Sequence, residues 1–526
     1  MRIVSIVFSL LLAITPAIVS AQDQSNDSLV ENGVFLPELL RSNPNASIFY
    51  NALQATHLSD TLQKYLDASY PGVSYDSTLM CLMATGQTAI LYRTAYETEK
   101  GIFPEQRLFK YTVFVVSDSV LNNVYGIRSL DDLVAKAKDV YSDPAHINDS
   151  HWLNTSPLFK LMSYHILPCG LTYDQFNVSD QKIIDRRSFL DELDVEDFYE
   201  TLMPHSLIRI SSAYDVARYA IVKNNRIGIF INRKGTESAG NLEYKGIRIW
   251  TDPEYGQYSN NAINGCYHFV DSLLLYNNAT KDALNTRIRV MFSTISPDFI
   301  NSGARGRLRT YEQDRYVVGF KKGYCKNVDW TIDTEFYVRY RDAAFGCLYG
   351  DELTLRGTYD ITFRLPPVPN SGLYEIRIPL NSLMSSSVAE NRGSVLYYTR
   401  KENNDYIPCG IPVGMNFISE DPSIGYVRDR NFIDRYPMIE AQDSILANDK
   451  AMRMRGYMKS PDIYYDMRDN SNFLRRIVCE QYMEEGKDYY LRIRQVGDRF
   501  ETLPLNYLEL VPYSIYSGEN GLEDKH

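Results

Sequence analysis

From Arg287 onward the apolar residues of this chain alternate with polar ones, and a period-two pattern buries its apolar set only as strands with one face on a core. Tyr359, Ile361, Phe363 and Leu365 share one face, and Tyr374, Ile376, Ile378 and Leu380 share another. Leu491 and Ile493, then Leu508 and Leu510, repeat the theme. Turns rich in Gly, Pro and Asn separate these runs, most clearly Pro366-Pro367-Val368-Pro369-Asn370-Ser371-Gly372. Many short strands with such turns predict an all-β sandwich over 285–515. The polar residues 516–526 read as a flexible tail.

The first half has a different texture. With 526 residues the chain is long for one core, so two or more domains are expected. Ile48, Phe49, Leu53, Leu58 and Leu62 recur at near-helical spacing, with structure expected to begin near Pro44. Tyr111-Thr112-Val113-Phe114-Val115-Val116 is a short, β-branched apolar run and reads as a buried strand. Ser117 or Asp118 can cap a helix after it through a side-chain oxygen. Ser129 with Asp132 resembles a capping box for a further helix. Ser156-Pro157 opens another, in which Leu158, Leu161, Met162, His165 and Ile166 line the apolar stripe and Pro168 stops it. Tyr219–Val222, Asn224-Asn225 and Ile227–Ile231 have the form of a hairpin. Asn264-Gly265 marks a tight turn before a closing strand through Tyr267, Phe269 and Asp271.

Met1-Arg2, an apolar run from Ile3 to Val19, and Val19-Ser20-Ala21 have the form of a secretory signal over 1–21, followed by a polar leader over 22–42. No Cys follows the cleavage site, so a lipobox anchor is not supported, and export to the periplasm, outer surface or extracellular space is expected. No later apolar run reaches membrane-spanning length. Net charge is −11, and loss of Arg2 with residues 1–21 takes it to −12, with no clustered basic run. Nucleic acid is therefore not an expected partner. Seven Cys at wide spacing without CxxC argue against zinc and thioredoxin-like sites, and their odd number leaves at least one thiol outside any intramolecular pair. Cys325 and Cys347 could pair, though sequence does not decide it.

No GxSxG elbow, phosphate-binding glycine loop, dinucleotide fingerprint or HExxH is present. Neither a catalytic residue nor a metal or cofactor site is expected. Asp329, Asp333 and Asp351 are donors for calcium without motif support. The 41 Tyr suit either sheet faces or flat contact surface. As sugar platforms the aromatic candidates are Trp330, Tyr397 and Tyr464, with core packing the alternative for each. His165, on the apolar face of its helix, suits a buried hydrogen-bonded role, and so does His268 beside its strand.

Three ordered stretches resemble the fasciclin (FAS1) family of adhesion domains: Thr112-Val113-Phe114 leading to Ser117-Asp118, Tyr164-His165-Ile166-Leu167-Pro168, and Asn264-Gly265-Cys266-Tyr267-His268-Phe269-Val270-Asp271. Val115-Val116 stands where the family has Ala-Pro. The resemblance covers about 43–280, with insertions expected at 66–105 and 171–260. It implies an α+β wedge of strands and helices with Thr112, Phe114, Asp118, Asn264, Gly265, His268 and Asp271 in structural roles. It also links Tyr164 and His165 to adhesion. Residues 285–515, through Gly357-Thr358-Tyr359-Asp360, Cys409-Gly410-Ile411-Pro412 and Tyr490-Leu491-Arg492-Ile493-Arg494, are similar to the C-terminal part of exported Bacteroidetes fasciclin-type proteins. A galactose-binding-like or carbohydrate-module-like sandwich is the analogy there. The expectation is an exported, non-catalytic protein binding glycans or cell-envelope proteins. A polysaccharide-active enzyme and a structural envelope component are the alternatives.

Overall fold

A computed structural model describes residues 33–70, 100–102, 104, 106–176, 197–214, 226–234, 243–250, 260–304, 316–340, 351–381, 393–416, 421–461, 467–469, 473–499 and 501–517. The signal and most of the leader, the Asn224-Asn225 turn, Cys347, Tyr464 and the end of the tail lie outside these. The fold is mixed α+β and strand-rich, with four sheets among the described residues.

The sheet of the first half runs in the order Ile166–Leu167, Tyr111–Val116, Gly265–Val270, Ile247–Ile249, Arg226–Ile231, Leu207–Tyr214, Asp197–Glu200, with Asn260–Ala262 also pairing Gly265–Val270. Among the described residues its one parallel pair joins Tyr111–Val116 to Gly265–Val270, Thr112 opposite Cys266 and Phe114 opposite His268. Val113 to Val116 are all buried, which explains a run of consecutive apolar residues in place of alternation. Helices Ser47–Ala55, Asp118–Tyr125, Leu130–Val140 and Pro157–Tyr164 pack around it. Ser117, Ser129 and Ser156 each accept a backbone N–H of the helix that follows. Helical structure is present ahead of Pro44, where the sequence predicts the fold to begin. Leu36–Arg41 is a helix whose Leu36 and Leu40 are fully buried, so the last part of 22–42 belongs to the fold and not to a leader.

The described residues of the second half form three sheets. One runs Lys100–Ile102, Tyr316–Gly319, Thr334–Tyr340, Asp351–Gly357, Glu501–Leu505. A second runs Ile288–Met291, Tyr507–Pro512, Gly372–Asn381, Phe473–Met483, Tyr457–Lys459. The third runs Val328–Trp330, Asp360–Arg364, Tyr489–Val496, Ser394–Lys401, Ile407–Pro408. The alternating sets behave as their period requires: Tyr359, Ile361 and Phe363 are buried, as are Tyr374, Ile376, Ile378 and Leu380.

Two features depart from an all-β second domain with a boundary near 280–285. The strand Lys100–Ile102, from the first half of the chain, pairs in parallel with Tyr316–Gly319 at the edge of a second-half sheet. The second half also contains a 17-residue helix, Met438–Met454, which buries only Ala441, Ile445, Asp449 and Met452. So narrow a stripe, with a carboxylate in it, leaves little helical signal in the apolar pattern. One apolar core runs through both halves, from Leu36 to Leu510.

Candidate functional site

The three stretches that resemble FAS1 signatures meet in one place. Thr112 Oγ1 donates to the Cys169 carbonyl at 2.7 Å and accepts the Leu171 amide at 2.8 Å, tying its strand to the segment after the helix Pro157–Tyr164, which ends at a His165 cap and gives way to the strand Ile166–Leu167 before Pro168 is reached. His165 is 0% exposed. Its Nδ1 lies 2.9 Å from the Leu161 carbonyl and its Nε2 accepts the Leu274 amide at 3.0 Å. A carbonyl on one nitrogen and an N–H on the other select the neutral ring protonated at Nδ1. Burial holds its pKa at about 4. His268 is equally buried, with Nε2 2.9 Å from the Leu171 carbonyl, and burial brings it likewise to about 4. Phe114 packs against Phe176 and His268.

Asp118 does a different job from the one its position predicts. Ser117 caps the helix they share, while the Asp118 carboxylate accepts the amides of Ser47 and Ile48, at 3.1 and 3.0 Å, and so caps the helix Ser47–Ala55 across the fold. Asn264 is buried and ties three segments. Its Oδ1 accepts the Leu36 amide at 3.1 Å, and its Nδ2 donates to the carbonyls of Leu62 and Lys64 at 2.5 and 3.1 Å. The glycine after it is required by close approach more than by the turn. At φ +137° a Cβ on Gly265 would lie 1.9 Å from the Tyr111 carbonyl oxygen. Asp271 Oδ1 accepts the Arg248 amide at 3.0 Å.

The aromatic candidates do not form a surface. Trp330 is 3% exposed with its ring edge-on to Phe336, centroids 4.6 Å apart, and Tyr397 is 1% exposed with its hydroxyl toward the Met415 sulfur. Both sit on inward positions of alternating strands, where neighbouring sheets cover them. Tyr164 is buried too. Its hydroxyl donates to the Leu207 carbonyl at 2.9 Å and accepts Asn232 Nδ2 at 3.0 Å, so it joins helix to sheet. Together with His165, these residues are core and offer no face to a partner. Tyr464 lies outside the described residues. Among the described residues no group of three or more His, Cys, Asp and Glu is placed to hold a metal ion.

A surface that the sequence reading missed stands just ahead of the helix Pro157–Tyr164. Trp152 is 57% exposed, next to exposed Leu153. The His57 ring meets it edge-on, centroids 5.8 Å apart at 67°. His57 Nδ1 lies 3.1 Å from Asp60 Oδ2, so the imidazole is held between the indole and a carboxylate. The loop carrying Trp152 is closed by its own polar groups. Asp149 Oδ2 contacts His146 Nδ1 at 2.9 Å and accepts Thr155 Oγ1 at 2.5 Å, and these two contacts, Thr155 foremost, lower the Asp149 pKa. Ser156 Oγ donates to the His151 carbonyl at 3.1 Å while accepting the Phe159 amide at 3.1 Å. The presented ring is thereby fixed to the N-terminus of the buried Pro157–Tyr164 helix. The signal in the sequence was one of only three Trp placed in a wholly polar stretch, Asn148-Asp149-Ser150-His151-Trp152.

No protein-family model matches this chain, and none of the curated proteins matches it.

Proposed function

We propose that this protein is an exported, non-catalytic adhesion or ligand-binding protein that takes glycans at the Trp152 face of its first half. The carrying observation is an exposed indole on a self-braced loop with His57 and Asp60 beside it. An indole face stacks on the C–H face of a pyranose, and a carboxylate accepts the hydroxyls at the ring's rim. Little order has to be created on binding, because the loop is already closed by its hydrogen bonds.

The FAS1 reading of residues 43–280 belongs to the same proposal. It is supported by the parallel pairing of Tyr111–Val116 with Gly265–Val270 and by His165 and His268 sealing the space between strands and helix. A sandwich-like second half, and export through residues 1–21, complete it. In this reading Tyr164 and His165 hold the platform from beneath and make no contact with the glycan.

A glycan array probed with the mature chain, repeated with Trp152→Ala, tests the proposal. Retention of a glycan class by the native protein and a loss of about tenfold or more in the variant, with an unchanged melting temperature, is the expected result; a stacked ring is worth roughly 1–3 kcal/mol. Equal retention by both proteins would move the site elsewhere.

A further inference from the structure

We propose that Cys409 and Cys479 are a redox pair that closes to a disulfide joining two sheets of the second half. Their sulfurs lie 3.4 Å apart as thiols. Cys479 sits in the long strand Phe473–Met483, opposite Ile376, where the register with Gly372–Asn381 shifts. Cys409 directly follows the short strand Ile407–Pro408 of a different sheet, and its amide donates to the Tyr397 carbonyl at 2.8 Å. The two sheets already touch here through Thr399 Oγ1 and Gln481 Oε1, 3.1 Å apart.

A disulfide has its sulfurs near 2.05 Å, so closure needs an approach of about 1.3 Å. The segment that has to move is free to do so. Gly410, Ile411 and Pro412 are exposed, and Gly410, at φ +82°, has open space around it. Both cysteines are half-buried, within reach of a small reagent, whereas the other described cysteines, Cys169, Cys266 and Cys325, are buried. The sulfur contact with Cys479 lowers the Cys409 pKa, and the lower pKa marks Cys409 as the first nucleophile.

The chemistry is thiol–disulfide exchange with a disulfide donor. The Cys409 thiolate attacks a donor sulfur, forming a mixed disulfide and releasing one donor thiolate. Cys479 loses its proton and attacks the Cys409 sulfur, breaking the mixed disulfide and releasing the second donor thiolate. Two protein thiols are oxidised to one disulfide, the donor disulfide is reduced to two thiols, and the two protein protons end on them. An oxidising compartment, which the proposed export would supply, keeps the pair closed. The compartment rests on the proposed export, while the pairing itself rests on the sulfur geometry and is independent of glycan binding.

Oxidised glutathione is the donor to use. The full chain, equilibrated with it and then alkylated and digested, is expected to yield one peptide pair linked through Cys409 and Cys479, with those two sites protected from alkylation. Dithiothreitol restores both to alkylation and lowers the melting temperature of the oxidised protein by a few degrees. Cys409→Ser is expected to be insensitive to both reagents. Should Cys409→Ser fold poorly, the wild-type comparison with and without dithiothreitol still decides. Complete alkylation of both residues after oxidation, or linkage of either to another cysteine, overturns the pairing.

Discussion

His165 and His268 are the residues whose chemistry differs most from what their type leads one to expect. Both are buried, both are hydrogen-bonded to backbone, and burial lowers each pKa from 6.5 to about 4. A group whose folded pKa is depressed is bound by more protons in the unfolded chain between the two values. Each histidine therefore contributes its full stability above about pH 6.5 and loses it as pH falls through about 4. The contribution is about 3 kcal/mol apiece at most, at 1.36 kcal/mol per pKa unit. Asp271, Asp298 and Glu501 act in the opposite sense, because burial raises their pKa values and acid favours their folded form. A bulk melting curve thus mixes the two signs. The clean measurement is the imidazole Cε1–H shift by NMR: both resonances are expected to stay at neutral positions from pH 7 to pH 5. A midpoint near 6.5 for either would contradict the buried geometry.

At the scale of elements, charge docks the helices of the second half where apolar area is scarce. The strand Tyr507–Pro512 turns Leu508 and Leu510 to one side and Glu509 to the other. Glu509 has no exposure, with Arg289 Nε 2.8 Å, Arg475 NH1 3.4 Å and Arg377 NH1 3.7 Å away. Burial alone would raise its pKa, but Arg289, Arg475, Arg377 and Arg287 bring it down to about 2. The layer continues outward, since Arg377 also contacts Glu375, and Arg453 of the Met438–Met454 helix reaches the same carboxylate at 2.7 Å. Asp449 of that helix joins Lys459, Arg468 and Asp429 in a second buried set, with contacts of 2.6 to 3.3 Å. Removing one partner of such a set leaves the others desolvated and uncompensated. Glu509→Gln is expected to cost about 3–5 kcal/mol in urea denaturation. A cost below about 1 kcal/mol would mean that the arginines find water instead.

For the whole molecule, contacts between the halves lock them together, and the two are expected to unfold as one. Arg107 donates to Asp67 and to the carbonyls of Gly323 and Tyr324 at 2.9–3.0 Å, and Lys326 reaches Asp67 at 3.0 Å. Asn301 donates to the Pro168 carbonyl and accepts the Gly170 amide, both at 3.1 Å. Arg364 bridges Glu200 and Asp488. With the Lys100–Ile102 strand added at the edge of a second-half sheet, the strand Tyr316–Gly319 is paired on that side only in the full chain. Calorimetry is expected to give a single transition for the whole protein, lowered by several degrees in Arg107→Met. Two resolved transitions in the native chain would show the halves to be independent.

Local pattern was enough to specify the strands of Tyr359–Leu365 and Tyr374–Leu380, the serine-capped helices and the inward placement of His165, because each rests on a period or a cap written in neighbouring residues. The same pattern showed that Trp330 and Tyr397 are aromatic in strands, yet which face of a strand meets another sheet is set by residues far away in sequence. Asp118 illustrates the difference most sharply: its position next to Ser117 announces a cap, but the helix it caps begins 71 residues earlier. Gly265 answers to a carbonyl on a strand that precedes it by more than a hundred residues. That Trp152 is exposed and that the Cys409 and Cys479 sulfurs lie close was decided by the three-dimensional packing, since exposure and sulfur-to-sulfur distance are properties of contacts between distant segments.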